Sequence, residues 1–166
     1  ILLNAAGGTD PKAITSPTRS VFDLDMAAMR AVMDQNWMGT VVPCIAVAKQ
    51  YVARGEGVII NIASISKAGN PGQSNYSAAK AGVTAMAVVW ARELARFGIR
   101  AASIAPGFTR TDLLAGMPPE MLEKVTAPVP LKRLGLPEEI AQAAVFIAEN
   151  DYFNGRSIDI DGGLRL

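Results

Sequence analysis

Ser64, Tyr76 and Lys80 bring a hydroxyl, a phenol and an ammonium into one short stretch, SISKAGNPGQSNYSAAK. A free phenol ionises at about 10 and is a poor base at neutral pH. An ammonium within one helical turn favours the phenolate and lowers that value, which makes Tyr76 a candidate acid/base. The chain contains no histidine, so His-based triads are excluded and a catalytic zinc site is not expected. Any acid/base work must come from Tyr, Lys, Asp, Glu or Cys. No metal site is expected.

Those side chains need elements to hold them. Tyr76 and Lys80 are spaced i and i+4, and Val83, Met86, Ala87, Trp90, Ala91 and Leu94 continue an apolar stripe at helical spacing. Residues four apart share one helix face, so the two can address one small volume. Ser64 closes the run Gly57-Val-Ile-Ile-Asn-Ile-Ala63, which is too short for a helix and rich in β-branched residues. It reads as a buried parallel strand. In open α/β sheets chemistry gathers beyond the carboxyl ends of the strands, which is where Ser64 would sit.

The arrangement Ser-x11-Tyr-x3-Lys resembles the active-site stretch of the short-chain dehydrogenase/reductase family. Flanking motifs match in the family's order: Asn4-Ala5-Ala6-Gly7, Asn36, Pro106-Gly107 with Thr111, and Asp161-Gly162-Gly163. The resemblance covers nearly the whole chain. It implies a hydride transfer between NAD or NADP and a carbonyl or secondary alcohol. The catalytic set would be Asn36, Ser64, Tyr76 and Lys80. Ser64 would hydrogen-bond the substrate oxygen, Lys80 would also hold the cofactor ribose, and the kinked backbone at Asn36 would hold a proton-relay water. Cofactor contacts would come from Asn4, Gly7, Tyr76, Lys80, Pro106, Gly107, Thr109 and Thr111. Ser66 lies two residues beyond Ser64 and could face the same side, but Asn61-Ile-Ala-Ser64 matches the family's strand ending. Two positions depart from the family pattern: Ala5 stands where it has a second asparagine, and Ala102 where relatives usually carry asparagine.

Composition agrees with a well-packed globular domain. The chain has 166 residues, half of them hydrophobic and 19% charged, with a net charge of +1. Scattered charge of that size argues against a nucleic-acid surface. No apolar run reaches a membrane-spanning length and nothing resembles a signal peptide, so a cytoplasmic protein with no membrane contact is expected. A single cysteine, Cys44, in an apolar segment reads as a buried structural thiol.

Along the chain, Ile1-Leu-Leu3 reads as a strand and Thr9–Val21 as a loop. A helix capped by Asp23 or Asp25 should run to about Ala53 and kink at Pro43, which has no N–H for the Gly39 carbonyl. Ile99–Ala105 and Arg156–Asp161 read as strands, with a short helix near Pro119–Val125 and a longer one from Pro137. Alternating helices and strands imply a Rossmann-like doubly wound parallel sheet in a single domain, residues 1–166, corresponding to the C-terminal two-thirds of the family fold. No Gly-x-x-x-Gly-x-Gly or Gly-x-Gly-x-x-Gly turn follows a strand, so the chain is expected to be truncated at its N-terminus, to lack the adenosine half of the cofactor site and to bind a dinucleotide weakly by itself. The opposing view, favoured by that missing turn, is a non-catalytic fragment or assembly module that keeps the fold.

The substrate is left open among a 3-oxoacyl thioester, a sugar or sugar acid, or another secondary alcohol. Phe108, Leu113, Leu114, Met117 and Met121 suggest a partly apolar substrate wall, or simply a loop closed over the core. Met26, Met29, Val32 and Met33 on one helix and Val83, Met86, Val89 and Trp90 on another exceed what one sheet face can bury. Together with the resemblance this suggests a homotetramer or homodimer.

Overall fold

Short β-branched runs bounded by glycine become strands, and longer stripes at helical spacing become the crossovers between them. The computed structural model describes residues 1–166 except the side chains of Leu113 and Ala115. The strands are β1 (Leu2–Asn4), β2 (Gly57–Ile62), β3 (Ile99–Pro106) and β4 (Ser157–Ile160). They form one sheet in the order β1-β2-β3-β4, and every neighbouring pair is parallel. Each parallel step requires a helical crossover. The helices are α1 (Met26–Met33), α2 (Gly39–Arg54), α3 (Ser74–Glu93), α4 (Asp112–Ala115), α5 (Pro119–Thr126) and α6 (Pro137–Glu149).

The sheet is covered on both faces, as a doubly wound fold requires. Ile59, Ile99 and Ala101 pack against Cys44 and Tyr51 of α2 and Ala91 of α3. On the opposite face Ile60, Ala102 and Ile104 pack against Ala143 and Ile147 of α6. Burial on both sides is why β2 and β3 read as continuous apolar runs rather than alternating ones. The α/β architecture expected from the sequence is the one observed.

The helix before β2 differs from expectation. It does not run unbroken from Asp25. A π turn, Asp34–Met38, separates α1 from α2, and α2 continues in α geometry through Pro43. The Gly39 N–H reaches the Asp34 carbonyl across this wider turn. The donor that Pro43 lacks falls opposite Gly39, the first residue of α2, so the loss is confined to that helix's first turn. Asp25 caps α1, its Oδ1 accepting from Ala27 and Ala28 at 2.8 and 3.1 Å. Asp23 instead accepts from Ser20 and closes a separate one-turn helix, Val21–Asp23.

Between α3 and β3 the chain reverses at Gly98, where φ is +71° and a Cβ would lie 2.0 Å from the Gly55 carbonyl oxygen. Only glycine fits that approach. Of the apolar residues expected to exceed the core, Val32 and Val83 are buried, while Met26 and Val89 remain exposed.

Candidate functional site

The site forms where β1, β2 and α3 meet. β2 ends at Ile62, and Ala63 still donates its N–H to Ile104 at 2.7 Å. Ser64 is therefore held in extended conformation immediately past the strand. Its Oγ accepts from the Ser66 N–H at 3.1 Å, which caps a one-turn helix, Ile65–Ala68. That turn is fastened to the sheet by Lys67, which pairs with Asp159 and donates to Ser157 Oγ on β4. The Ser66 hydroxyl is buried and pairs with Asn70 Nδ2, so it does not compete for Ser64's position.

Tyr76 is the third residue of α3, and the Ser64 side chain stands near enough to its hydroxyl to favour the phenolate. Its ring packs with Met29 against Ala13, Ala28 and Val32. The spacing to Lys80 predicts a lowered Tyr76 pKa, and the structure differs. Burial is the larger influence and raises it from its ordinary value, while the Ser64 side chain pulls the other way. Lys80 lies one turn on, 3% exposed, with Nζ 5.6 Å from the Tyr76 ring centroid. Nζ donates to the Ile62 carbonyl at 2.8 Å. Desolvation pulls the ammonium's pKa down to about 8. An ammonium has three donors, and among the described residues only Ile62 takes one.

Asn36 closes the opposite side. It is fully buried within the π turn; Nδ2 donates to Gly8 O at 2.7 Å and Val32 O at 2.8 Å, and Oδ1 accepts from Gly8 N at 3.1 Å. The wider turn lets this side chain reach across to the loop after β1, a common use of π turns at functional sites. The Asn36 carbonyl accepts from Thr40 Oγ1 at 2.9 Å. A Cβ at Gly7 would lie 2.4 Å from Asn36 Oδ1 and 3.2 Å from Lys80 Nζ. Gly7 thus keeps open the space that Asn36 and Lys80 border.

The other candidates sit at strand ends with different duties. Asn4 does not turn its side chain towards this space. Nδ2 donates to Asn61 Oδ1 at 2.9 Å and lies 3.0 Å from Cys44 Sγ, which ties β1 to β2 and α2. Cys44 is buried as expected, and burial pushes its thiol up to about 11. Sequence reasoning misses the part Asn61 plays in this tie. A signal for it exists: an amide in an apolar strand, in register with Asn4.

Pro106 ends β3, and the Gly107 N–H donates to Ile160 at 2.9 Å. A Cβ at Gly107 would lie 2.8 Å from Asp161 Cα, so this glycine lets the closing turn approach. Thr109 bridges to Gly135, and Thr111 N–H donates to the Thr109 carbonyl at 2.8 Å just before α4. Phe108 packs on Ile65, Val129 and Leu164, closing the loop over the core. Met121 is exposed, and the side chain of Leu113 lies outside the described residues.

Comparison with known proteins agrees with this geometry. Residues 1–165 match the family model described as enoyl-(acyl carrier protein) reductase. The (3R)-3-hydroxyacyl-CoA dehydrogenase of Mus musculus is 42% identical over 153 residues, 89% of this chain and 59% of the relative. The crystal structure of 3-hydroxyacyl-CoA dehydrogenase type-2 from Mycobacterium avium superposes with a TM-score of 0.90 at 36% identity, over 99% of this chain and 66% of that one. An oxidoreductase from Haemophilus influenza with bound NAD gives 0.85 at 32%, over 98% of this chain and 65% of that one. The chain thus spans 59% to 66% of the length of these relatives.

Proposed function

This chain belongs to the short-chain dehydrogenase/reductase family, and from that premise we propose that it carries the catalytic end of an oxidoreductase acting on a carbonyl/secondary-alcohol pair with NAD or NADP. The observation that carries the reading is the meeting of Ser64, Tyr76 and Lys80 beside Gly7 at the carboxyl ends of β1 and β2. A 3-oxoacyl thioester is the favoured substrate class, because the matching family description and the mouse relative both name acyl thioester chemistry. The reading includes a homo-oligomer working in the cytoplasm; among the described residues no helix is long and apolar enough to cross a membrane.

The residues present fit the nicotinamide riboside half of such a cofactor. Lys80 has two donors to spare in a buried setting, which suits ribose hydroxyls, and Gly7 leaves room beside it. When bound, the reduced nicotinamide supplies the hydride and its electron pair. The chain's own residues manage the proton. Ser64 donates to the substrate oxygen and holds it against Tyr76, where negative charge develops. The Tyr76 O–H bond breaks as the substrate O–H bond forms, leaving phenolate on Tyr76. Lys80, pulled down to about 8, lies below the raised phenol, so a proton on Lys80 moves downhill to the phenolate. The Asn36 carbonyl would hold the water that restores Lys80 from solvent. The Asn36 side chain keeps the Gly8 loop in place.

The full-length protein should oxidise NADH or NADPH in the presence of 3-oxoacyl thioesters, followed by loss of absorbance at about 340 nm. No turnover with thioesters, sugars or simple ketones under either cofactor would favour a non-catalytic assembly module instead. Gly7→Ala should lower kcat by about 100-fold while the protein stays folded, because the added methyl displaces Asn36 and Lys80; a misplacement of about 1 Å has that effect. A wild-type kcat in Gly7→Ala would remove Gly7 from the site.

A further inference from the structure

The turn that follows Ser64 is too short to hold itself. Ile65–Ala68 is a single 3₁₀ turn. Fixing the backbone of one turn outweighs the gain from its few hydrogen bonds, so such a turn persists only where tertiary contacts fasten it. Ser64 is bonded to it twice. The Ser64 carbonyl accepts from the Lys67 N–H at 3.0 Å, and the Ser64 Oγ accepts from the Ser66 N–H at 3.1 Å. A serine hydroxyl otherwise rotates to suit its surroundings. With the Ser66 N–H on its oxygen, the hydroxyl is held in one direction and its proton points away from the turn. The place of the turn therefore sets where Ser64 can donate.

Three side chains fasten the turn. Ile65 is buried against Val129 and Leu164, and the Ser66 hydroxyl meets Asn70 of the same loop. Lys67 is the charged tie, and it reaches furthest. β3 lies between β2 and β4 in the sheet, so the lysine stem spans two strand spacings of about 4.8 Å each. Ser157 and Asp159 are two residues apart on β4 and so stand on one face of it. Lys67 Nζ pairs with the Asp159 carboxylate and donates to Ser157 Oγ at 3.3 Å. The Lys67 side chain is 20% exposed and that of Asp159 50%. A pair this open to water adds little to global stability. Its consequence is local: it fixes the turn, and through the turn the Ser64 hydroxyl, against the far strand of the sheet.

We infer that Lys67 and Asp159 are positioning residues for Ser64, their ion pair clamping the turn at Ile65–Ala68 so that the Ser64 hydroxyl is aimed at the substrate oxygen. Neither residue touches the reacting atoms. The clamp stands on the geometry of the turn; its effect on turnover rests on the oxidoreductase reading.

Kinetics of the full-length protein with a 3-oxoacyl thioester and reduced cofactor test this. Lys67→Met and Asp159→Asn should each lower kcat by about tenfold, since a misplacement below about 1 Å already slows chemistry, while KM for the cofactor stays unchanged. The double variant should lose no more than either single one, because both act through one contact. Lys67→Arg has the charge and length to reach Asp159 and should recover most of the rate. In a Ser64→Ala background neither neutral substitution should slow the enzyme further, whereas a merely structural role would lower that background too. Hydrogen exchange gives a readout independent of turnover. The Ser66 amide should exchange about tenfold faster in Asp159→Asn, with the amides of α3 unchanged. Wild-type kcat in both neutral variants, a further loss in the Ser64→Ala background, or an unmoved Ser66 amide would each overturn the positioning role. A wild-type protein that turns over no carbonyl substrate, with Ser66 exchange still accelerated in Asp159→Asn, would sink the oxidoreductase reading and leave the clamp standing.

Discussion

Tyr76→Phe in the full-length protein lowers kcat by about 10²–10⁴-fold, the usual worth of a general acid/base, and leaves the melting temperature near that of the wild type. The expectation follows from how the ring is held. Tyr76 packs by its carbon surface with Met29, Ala13, Ala28 and Val32, and phenylalanine keeps that surface. Only the hydroxyl that meets Ser64 is lost. KM for the cofactor should change little, because Lys80 and Gly7 are untouched. Ser64→Ala should show a smaller loss, since it orients the substrate oxygen but supplies no proton. Wild-type turnover in Tyr76→Phe would remove the acid/base assignment.

Lys80→Met has opposite effects on stability and activity. Burial holds the Lys80 ammonium near 8 in the folded chain, against an ordinary value of 10.5. The unfolded chain therefore binds more protons between about pH 8 and 10.5, and stability rises with pH across that window. Below it the buried charge costs on the order of 3 kcal/mol. Methionine removes that cost but leaves the Ile62 carbonyl unpaired, a loss of roughly 1 kcal/mol. The variant should thus be about 2 kcal/mol more stable at pH 7 and lose the pH dependence between 8 and 10.5. Denaturant titrations at several pH values measure this. Meanwhile turnover should fall, because the proton that Lys80 returns to the phenolate and its hold on the cofactor ribose are both lost. A variant less stable than wild type at pH 7, with its stability still rising between pH 8 and 10.5, would contradict the buried-ammonium account.

Much of the fold was legible because burial on both faces leaves a plain trace. Gly57–Ile62 and Ile99–Pro106 are apolar runs too short for helices, and parallel strands with helical crossovers follow from them. The Ser64, Tyr76 and Lys80 grouping was legible for a different reason: strand end and helix start are adjacent in sequence, so spacing fixes proximity. The π turn was not legible. It goes with a contact between Asn36 and Gly8, twenty-eight residues apart, and nothing local distinguishes it from an α turn. Pro43 offers the stronger local signal, and the break in α geometry falls before it, at Asp34–Met38. Asn4 misleads in a similar way, because its partner Asn61 is far off in sequence and close only through strand register. The direction of the Tyr76 pKa also depends on burial, which spacing cannot convey.

Isotope transfer tests hydride transfer most directly. The full-length protein is incubated with a 3-oxoacyl thioester and reduced cofactor deuterated at the transferring position, in ordinary water, and the product is analysed by mass spectrometry. A hydroxyacyl thioester with deuterium on the carbinol carbon is the predicted result, and repeating the reaction with undeuterated cofactor in heavy water should leave that carbon unlabelled. Label arriving from the solvent instead, or no reduced product with either cofactor, would contradict the account.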